Sequence, residues 1–264
     1  MKVSALHIYP IKSTGQVPLQ TSKILSTGLE HDREWLLIDA NQKLMTARDY
    51  PELLRIRSHV QRNQLVVRTP LESHAFQSNI FRKKVTFQFF NEQLSGKHFS
   101  DQANEWLSDY LGVKCQLVHQ KGTPRPMLEK RGGESGDQVN YGDEAPILLL
   151  GEESLAELNG RLEKPVTMTH FRPNIVVQGS EAFAEDQWKL IRVGDCEFKV
   201  AQACQRCVFT TIDPTTLEKD RSGEPLKTLA RYRKGPAGGV IFGVHLIPRK
   251  RGEIKVGDVV EVLE

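Results

Sequence analysis

Residues 190–200 read Leu190-Ile191-Arg192-Val193-Gly194-Asp195-Cys196-Glu197-Phe198-Lys199-Val200. Two short runs rich in β-branched and apolar residues flank Gly194-Asp195, a tight-turn dipeptide, so the stretch predicts two adjoining strands. The same design recurs at the end of the chain, where Ile254-Lys255-Val256 and Val259-Val260-Glu261-Val262-Leu263 flank Gly257-Asp258. Between and before them, Asn174-Ile175-Val176-Val177 and Cys207-Val208-Phe209-Thr210-Thr211-Ile212 read as further strands. Strands at such short intervals suit an antiparallel sheet closing toward a barrel.

The first hundred residues repeat the pattern. Val3, Ala5, His7 and Tyr9 alternate with Ser4, Leu6 and Ile8. Glu34-Trp35-Leu36-Leu37-Ile38-Asp39 is a short apolar run that stops at Ala40-Asn41-Gln42, a hairpin-turn signal. Leu65-Val66-Val67-Arg68 and Lys84-Val85-Thr86-Phe87-Gln88-Phe89-Phe90 continue it, and Ala145-Pro146-Ile147-Leu148-Leu149-Leu150 suits a buried strand. Helix signals are few. Ala103, Trp106, Leu107, Tyr110 and Leu111 form one stripe over 101–111, between Ser100 as N-cap and Gly112 as stop. A second helix is expected over about 152–162, with Leu155, Leu158 and Leu162 on one face. Residues 121–141 are rich in Gly, Pro and charge, and read as a linker or mobile loop. The fold class is therefore mainly β with a few helices (α+β), in two β-rich halves.

Composition narrows the function classes. Of 264 residues, 39% are hydrophobic and 26% charged, which fits a packed globular protein. Thirty-six basic against 33 acidic residues leave +3, too little to imply a nucleic acid or membrane partner. Residues 1–9 lack the apolar core of a signal peptide, and no stretch approaches the roughly 20 apolar residues of a membrane span. Four cysteines fit a reducing compartment. The expectation is a soluble, cytoplasmic protein with neither nucleic acid nor membrane as partner.

Three local features carry chemistry. Ala203-Cys204-Gln205-Arg206-Cys207 places two thiols three positions apart beside a cation that favours thiolate. A structural zinc, a redox dithiol and plain buried cysteines all remain open on spacing alone. Tyr9-Pro10-Ile11-Lys12-Ser13-Thr14-Gly15 runs a strand into a loop with a lysine and hydroxyls, an anion cradle or a solvated turn. Arg33 could face the same anion or pair with Asp32 or Glu30. Phe171-Arg172-Pro173-Asn174 is a rigid corner that offers a guanidinium and an amide, or merely its own hydrogen bonds. One thiol pair with dispersed cations suggests a phosphorylated cofactor whose reactive end meets a cysteine.

Tyr9-Pro10-Ile11-Lys12-Ser13, Asp32-Arg33-Glu34-Trp35, Met45-Thr46-Ala47-Arg48, Phe171-Arg172-Pro173-Asn174, Ala203-Cys204-Gln205-Arg206-Cys207 and Asp213-Pro214 with Glu224-Pro225-Leu226-Lys227-Thr228-Leu229 occur in this order. Together they resemble the MOSC proteins, and most the group with an N-terminal MOSC β-barrel domain, which includes the mitochondrial amidoxime-reducing component. The resemblance implies an N-terminal MOSC-type β-barrel-like domain over 1–120 and a C-terminal MOSC β-barrel domain over 121–264. It implies a molybdenum cofactor, a Mo-pyranopterin dithiolene, with Cys207 as the protein's ligand to the metal and the catalytic position. Lys12, Ser13, Arg33, Arg172 and Asn174 match positions that hold the cofactor's phosphate and pterin, and Asp143 lies in a matching cofactor-side loop. Cys204 is then a neighbour rather than a ligand, and Cys115 and Cys196 are core residues.

Two positions depart from the family pattern. Asp143-Glu144-Ala145-Pro146 stands where the mitochondrial members carry small hydroxylated residues, and Glu144 would repel a phosphate unless turned away; Thr215-Thr216 stands where Thr-Gly is usual. The activity implied is molybdenum-dependent reduction of small N-hydroxylated compounds such as hydroxylaminopurines, amidoximes and hydroxylamines. No iron–sulfur domain follows, so electrons are expected from a separate donor protein of ferredoxin, flavoprotein or cytochrome type. Basic residues around Arg125 to Arg131 and Arg231 to Lys234 are candidates to dock it. The alternative that the resemblance leaves is a sulfur carrier or cofactor-delivery protein, with Cys207 as persulfide or docking thiol.

Overall fold

The computed structural model describes residues 1–77, 83–122, 124–236 and 238–264. Strands dominate, and three α-helices occur among the described residues, so the α+β class stands. The largest sheet has eight strands in the spatial order Val17–Leu19, Lys2–Ile8, Ile175–Gln178, Ile147–Gly151, Ile241–Lys250, Cys196–Gln205, Leu190–Val193 and Val260–Val262. Lys2 also bridges to Val259, and Val260 N–H donates to the Met1 carbonyl at 3.0 Å. These links join the first strand to the last segment, so the sheet curls on itself as a barrel does. The chain's first strand thus lies among strands drawn from beyond residue 146.

The tight turn expected at Gly194-Asp195 is present. It joins Leu190–Val193 to Cys196–Gln205 in antiparallel register, with Val193 opposite Cys196. Alternation buries Ile191, Val193, Cys196 and Phe198 in one core with Leu149, Val244 and Leu246. One neighbouring pair is parallel, Ile147–Gly151 with Ile175–Gln178, because helix α2 (Glu152–Asn159, shorter than expected) crosses over between them. The N-terminal part adds a four-stranded sheet, Trp35–Asp39, Cys115–His119, Glu92–His98 and Lys84–Phe89, and a three-stranded one from Arg57–Gln61, Gln64–Arg68 and Ser73–Gln77. Helix α1 (Asp101–Leu111) has its expected bounds: Ser100 Oγ accepts from Ala103 N–H, and Gly112 closes it at φ 66°.

Three segments differ from the expectation. Residues Cys207 to Ile212 do not form a strand; Val208–Thr211 is a 3-10 turn. Thr210 and Thr211 hydroxyls donate to the carbonyls of Cys207 and Val208 at 3.0 and 2.8 Å, and this local bonding replaces a ladder. Helix α3 (Leu226–Tyr232) was not anticipated. The stretch 121–141, expected as a linker or mobile loop, holds a short hairpin of Arg125–Pro126 with Gln138–Val139 and a 3-10 turn, with Thr123 outside the described residues. It is pinned to the large sheet by Lys199 Nζ donating to the Gly132 carbonyl at 3.2 Å and by an Arg249–Asp137 pair at 2.7 Å. Gly132 (φ 80°) sits so close to the strand that an added Cβ would lie 2.6 Å from the Ala201 carbonyl oxygen.

Candidate functional site

A cavity of about 490 Å³ opens where these parts meet, in the range of small-molecule sites. Its wall includes all seven residues expected at the cofactor site: Lys12, Ser13, Arg33, Asp143, Arg172, Asn174 and Cys207. They come from five separate stretches of chain. Three of them, Ser13, Arg33 and Arg172, hold φ of 67°, 49° and 59°, a left-handed backbone rare for such residues and concentrated at functional sites.

Tyr9 organises one side. Its fully buried ring meets two guanidinium groups, with Arg33 4.3 Å and Arg172 4.0 Å from its centre. The ring's π system attracts both cations. Arg33 Nη1 donates to Asp32 Oδ2 at 2.5 Å and to Asn174 Oδ1 at 3.1 Å. The ion pair and the cavity-facing position, rivals on sequence grounds, are therefore both present. Arg172 Nη1 donates to the Thr14 carbonyl at 2.6 Å. Asn174 is 1% exposed and its amide is fully engaged: Oδ1 also accepts from Leu148 N–H at 3.1 Å, and Nδ2 donates to the His7 carbonyl at 3.1 Å. Its geometry makes it the pin that fixes Arg33 to the large sheet.

Lys12 is buried beneath the cavity floor, with Nζ donating to the Tyr141 carbonyl at 2.8 Å and pairing with Asp143. Burial lowers its pKa from 10.5 to about 8, against the opposing pull of Asp143. Desolvation by its surroundings raises the Asp143 pKa, but Lys12, Arg48 and Arg33 outweigh that and hold it at about 2. Its side chain nonetheless keeps 61% exposure to the cavity's water. Burial likewise pushes Arg172 down to about 10, since Tyr9 and Asp32 only partly offset the lost solvation. The charge that could repel an anion is masked: Glu144 turns to Arg131 at 2.7 Å and accepts from Gln202 Nε2 at 3.2 Å.

The two thiols of the Cys-x-x-Cys pair part company. Cys204, at the end of its strand, is buried, and burial raises its pKa. Cys207 follows the strand's end and is exposed, the one exposed thiol of the four cysteines. Cys115 and Cys196 are buried, as expected of core residues. Among the described residues no group of three or more His, Cys, Asp or Glu could hold a metal ion. A metal at Cys207 would thus take its remaining ligands from a cofactor.

The wall suits an anionic cofactor. Eight of the lining residues are Lys or Arg and three are Asp or Glu; counting Asp32, paired with Arg33, makes four. Arg206 donates to the carbonyls of Phe242 and Phe171 at 2.8 and 3.0 Å, yet its buried Nη2 has no partner. A phosphate-bearing group answers the uncompensated cations, and a soft metal answers the open thiol. Sequence reading set Arg125 among basic residues that would dock an electron donor, but it lines this cavity: its guanidinium lies 4.5 Å from the Phe89 ring centre and donates to the Gly142 carbonyl. That reading passed over His245, a buried imidazole of the wall whose Nδ1 makes no hydrogen bond and lies 3.9 Å from Glu144 Oε2. Burial lowers the His245 pKa to about 4, so it is neutral at pH 7. Arg125 sat in the supposed linker, and His245 is one unremarked residue of a strand; neither had a local signal.

Fold and site together define a β-barrel protein with a cationic cleft built around one open thiol. The family models agree: residues 1–114 match the MOSC N-terminal beta barrel domain and residues 136–261 the MOSC domain. The chain belongs to the MOSC family in its form with an N-terminal β-barrel domain. It is similar to mitochondrial amidoxime-reducing component 1 of Homo sapiens, 33% identical over 99% of this chain and 82% of that protein. Mitochondrial amidoxime-reducing component 1 of Xenopus laevis is 35% identical over 97% of this chain and 80% of its own length. Mitochondrial amidoxime reducing component 2 of Homo sapiens is 34% identical over 97% and 82%. Among the described residues no helix is long and apolar enough to cross a membrane.

Proposed function

We propose that the protein is a molybdenum-cofactor-dependent reductase of N-hydroxylated compounds. The observation that carries the reading is the single exposed thiol, Cys207, on the wall of a cavity dominated by lysine and arginine. The names of the amidoxime-reducing relatives supply the reaction class. The residues present fit the cofactor: Cys207 would bind the metal as thiolate, and Lys12, Ser13, Arg33 and Arg172 would hold the phosphate and pterin. Asn174 would act by fixing Arg33, and Asp143 by holding the Lys12 ammonium. When bound, the cofactor supplies the two-electron redox change by which R–NH–OH, two protons and two electrons become R–NH₂ and water.

The chain's own residues do the rest. Buried cations neutralise the anionic cofactor, and the left-handed backbone at Ser13, Arg33 and Arg172 aims donors that would otherwise point elsewhere. Electrons are assigned to a separate donor protein of ferredoxin, flavoprotein or cytochrome type. The test is reduction of a hydroxylaminopurine with an artificial electron donor by protein of known molybdenum content. Turnover in the native protein and its loss in Cys207→Ala are expected; full activity in Cys207→Ala contradicts the role given to the thiol.

A further inference from the structure

Phe90 occupies a place that neither turn chemistry nor core packing selects. It is the first residue of the two-residue connection between Lys84–Phe89 and Glu92–His98, where Phe89 faces Glu92. Its φ is 51°, at a position that short hairpin turns normally give to Gly, Asn or Asp. A bulky aromatic residue is held there only at a conformational cost. Core packing compensates little: the ring meets the Phe89 ring edge-on at 5.0 Å, but the side chain stays 41% exposed. The ring instead forms part of the cavity wall, 5.1 Å from the Arg48 guanidinium and 5.5 Å from Lys12 Nζ.

One other exposed apolar side chain, Leu128 from the 121–141 stretch, lines the same cavity. Of the seven large apolar side chains exposed among the described residues, these two reach one wall from segments far apart in sequence. Much of the rest of the wall is charged and polar. A ligand that matches both has a small polar reactive end and a flat apolar body.

We infer that Phe90 is a specificity-determining residue: it stacks on the ring of an aromatic N-hydroxylated substrate, with Leu128 on the same wall, while the N–OH group reaches inward. The inference rests on the reductase reading for the identity of the substrate, but the stacking itself is read by binding alone. Aromatic stacking of this kind is worth about a factor of ten in affinity.

The experiment compares binding of benzamidoxime and acetamidoxime by calorimetry, with no electron donor present, in the native protein, Phe90→Asn and Phe90→Trp. Molybdenum content and thermal midpoint are measured alongside. Asn relieves the backbone at the turn, so Phe90→Asn is expected to keep or raise the midpoint and to keep the metal. Its Kd for benzamidoxime should rise about tenfold, with that for acetamidoxime changed less than about twofold; Phe90→Trp should hold benzamidoxime at least as well as the native protein. The inference is overturned if the native protein binds both compounds equally, or if Phe90→Asn weakens both alike. It is also overturned if Phe90→Asn loses molybdenum, which would put the ring against the cofactor. Should Phe90→Asn not fold, Phe90→Trp still decides, because weaker ring binding there refutes stacking. A protein that binds as expected yet reduces neither compound refutes the reductase reading and leaves the ring subsite standing.

Discussion

Replacing Lys12 by methionine should stabilise the cofactor-free protein at neutral pH while weakening its hold on an anion. Burial takes the Lys12 pKa from 10.5 to about 8, so the unfolded chain binds more protons than the folded one between those values. Stability contributed by this group therefore rises with pH through that window, and below pH 8 the buried ammonium is a constant burden. The fall in pKa corresponds to about 3 kcal/mol. Methionine removes the charge but leaves the Tyr141 carbonyl without its donor, a loss of about 1 kcal/mol. Asp143 loses its partner too, but its largely exposed carboxylate can be solvated by the cavity's water. The net gain at pH 7 is then about 2 kcal/mol.

The pH dependence is the sharper readout. At pH 10 the charge burden has shrunk to under about 1 kcal/mol, so the advantage of Lys12→Met should fall by about 2 kcal/mol between pH 7 and pH 10. Denaturant unfolding of both proteins at the two pH values measures it directly. Sulfate, which does not titrate in this range, should raise the midpoint of the native protein more than that of the variant. A variant less stable than the native protein at pH 7, or an advantage that does not change with pH, would refute the claim that burying the Lys12 ammonium costs more than its Asp143 pairing returns.

Two further outcomes follow from the same geometry. His245 is buried with its pKa lowered from 6.5 to about 4, so the stability it contributes is lost as pH falls through that interval, by up to about 3 kcal/mol; His245→Asn should flatten the acid limb of the stability profile between pH 6.5 and 4. Asn174→Ala leaves the Leu148 N–H and the His7 carbonyl unpaired in the core and frees Arg33. It should cost about 3 kcal/mol of stability in thermal or denaturant unfolding, with weaker sulfate binding as well.

Much of the fold could be read locally because its signals are local. Ser100, the stripe through Ala103 and Leu107, and Gly112 set helix α1 to the residue, and Gly194-Asp195 placed a two-strand unit whose alternation the core then uses. The failures have physical causes. Cys207 to Ile212 has strand-like composition, but threonine hydroxyls bond their own backbone and tighten it into a turn. Helix α3 spans seven residues and buries only Thr228 and Leu229, too little for a period to show. The parallel pairing of Ile147–Gly151 with Ile175–Gln178 depends on a crossover that no dipeptide announces. In the site, Lys12 and Cys207 lie 195 positions apart, so spacing could not join them; the ordered motifs did. Arg125 and Phe90 lay outside those motifs, and Phe90 becomes informative only when its backbone angle is known.

Metal and pterin analysis of freshly purified protein, native and Cys207→Ser, bears most directly on the central claim. The expected result is close to one molybdenum per chain with a pterin signal in the native protein and loss of the metal in Cys207→Ser. Because Cys207 is exposed and unbonded to other cysteines, the fold of that variant should be unchanged within about 0.5 kcal/mol. Native protein free of molybdenum after expression in molybdate-replete cells, or equal metal in the two proteins, would contradict Cys207 as the ligand of a molybdenum cofactor.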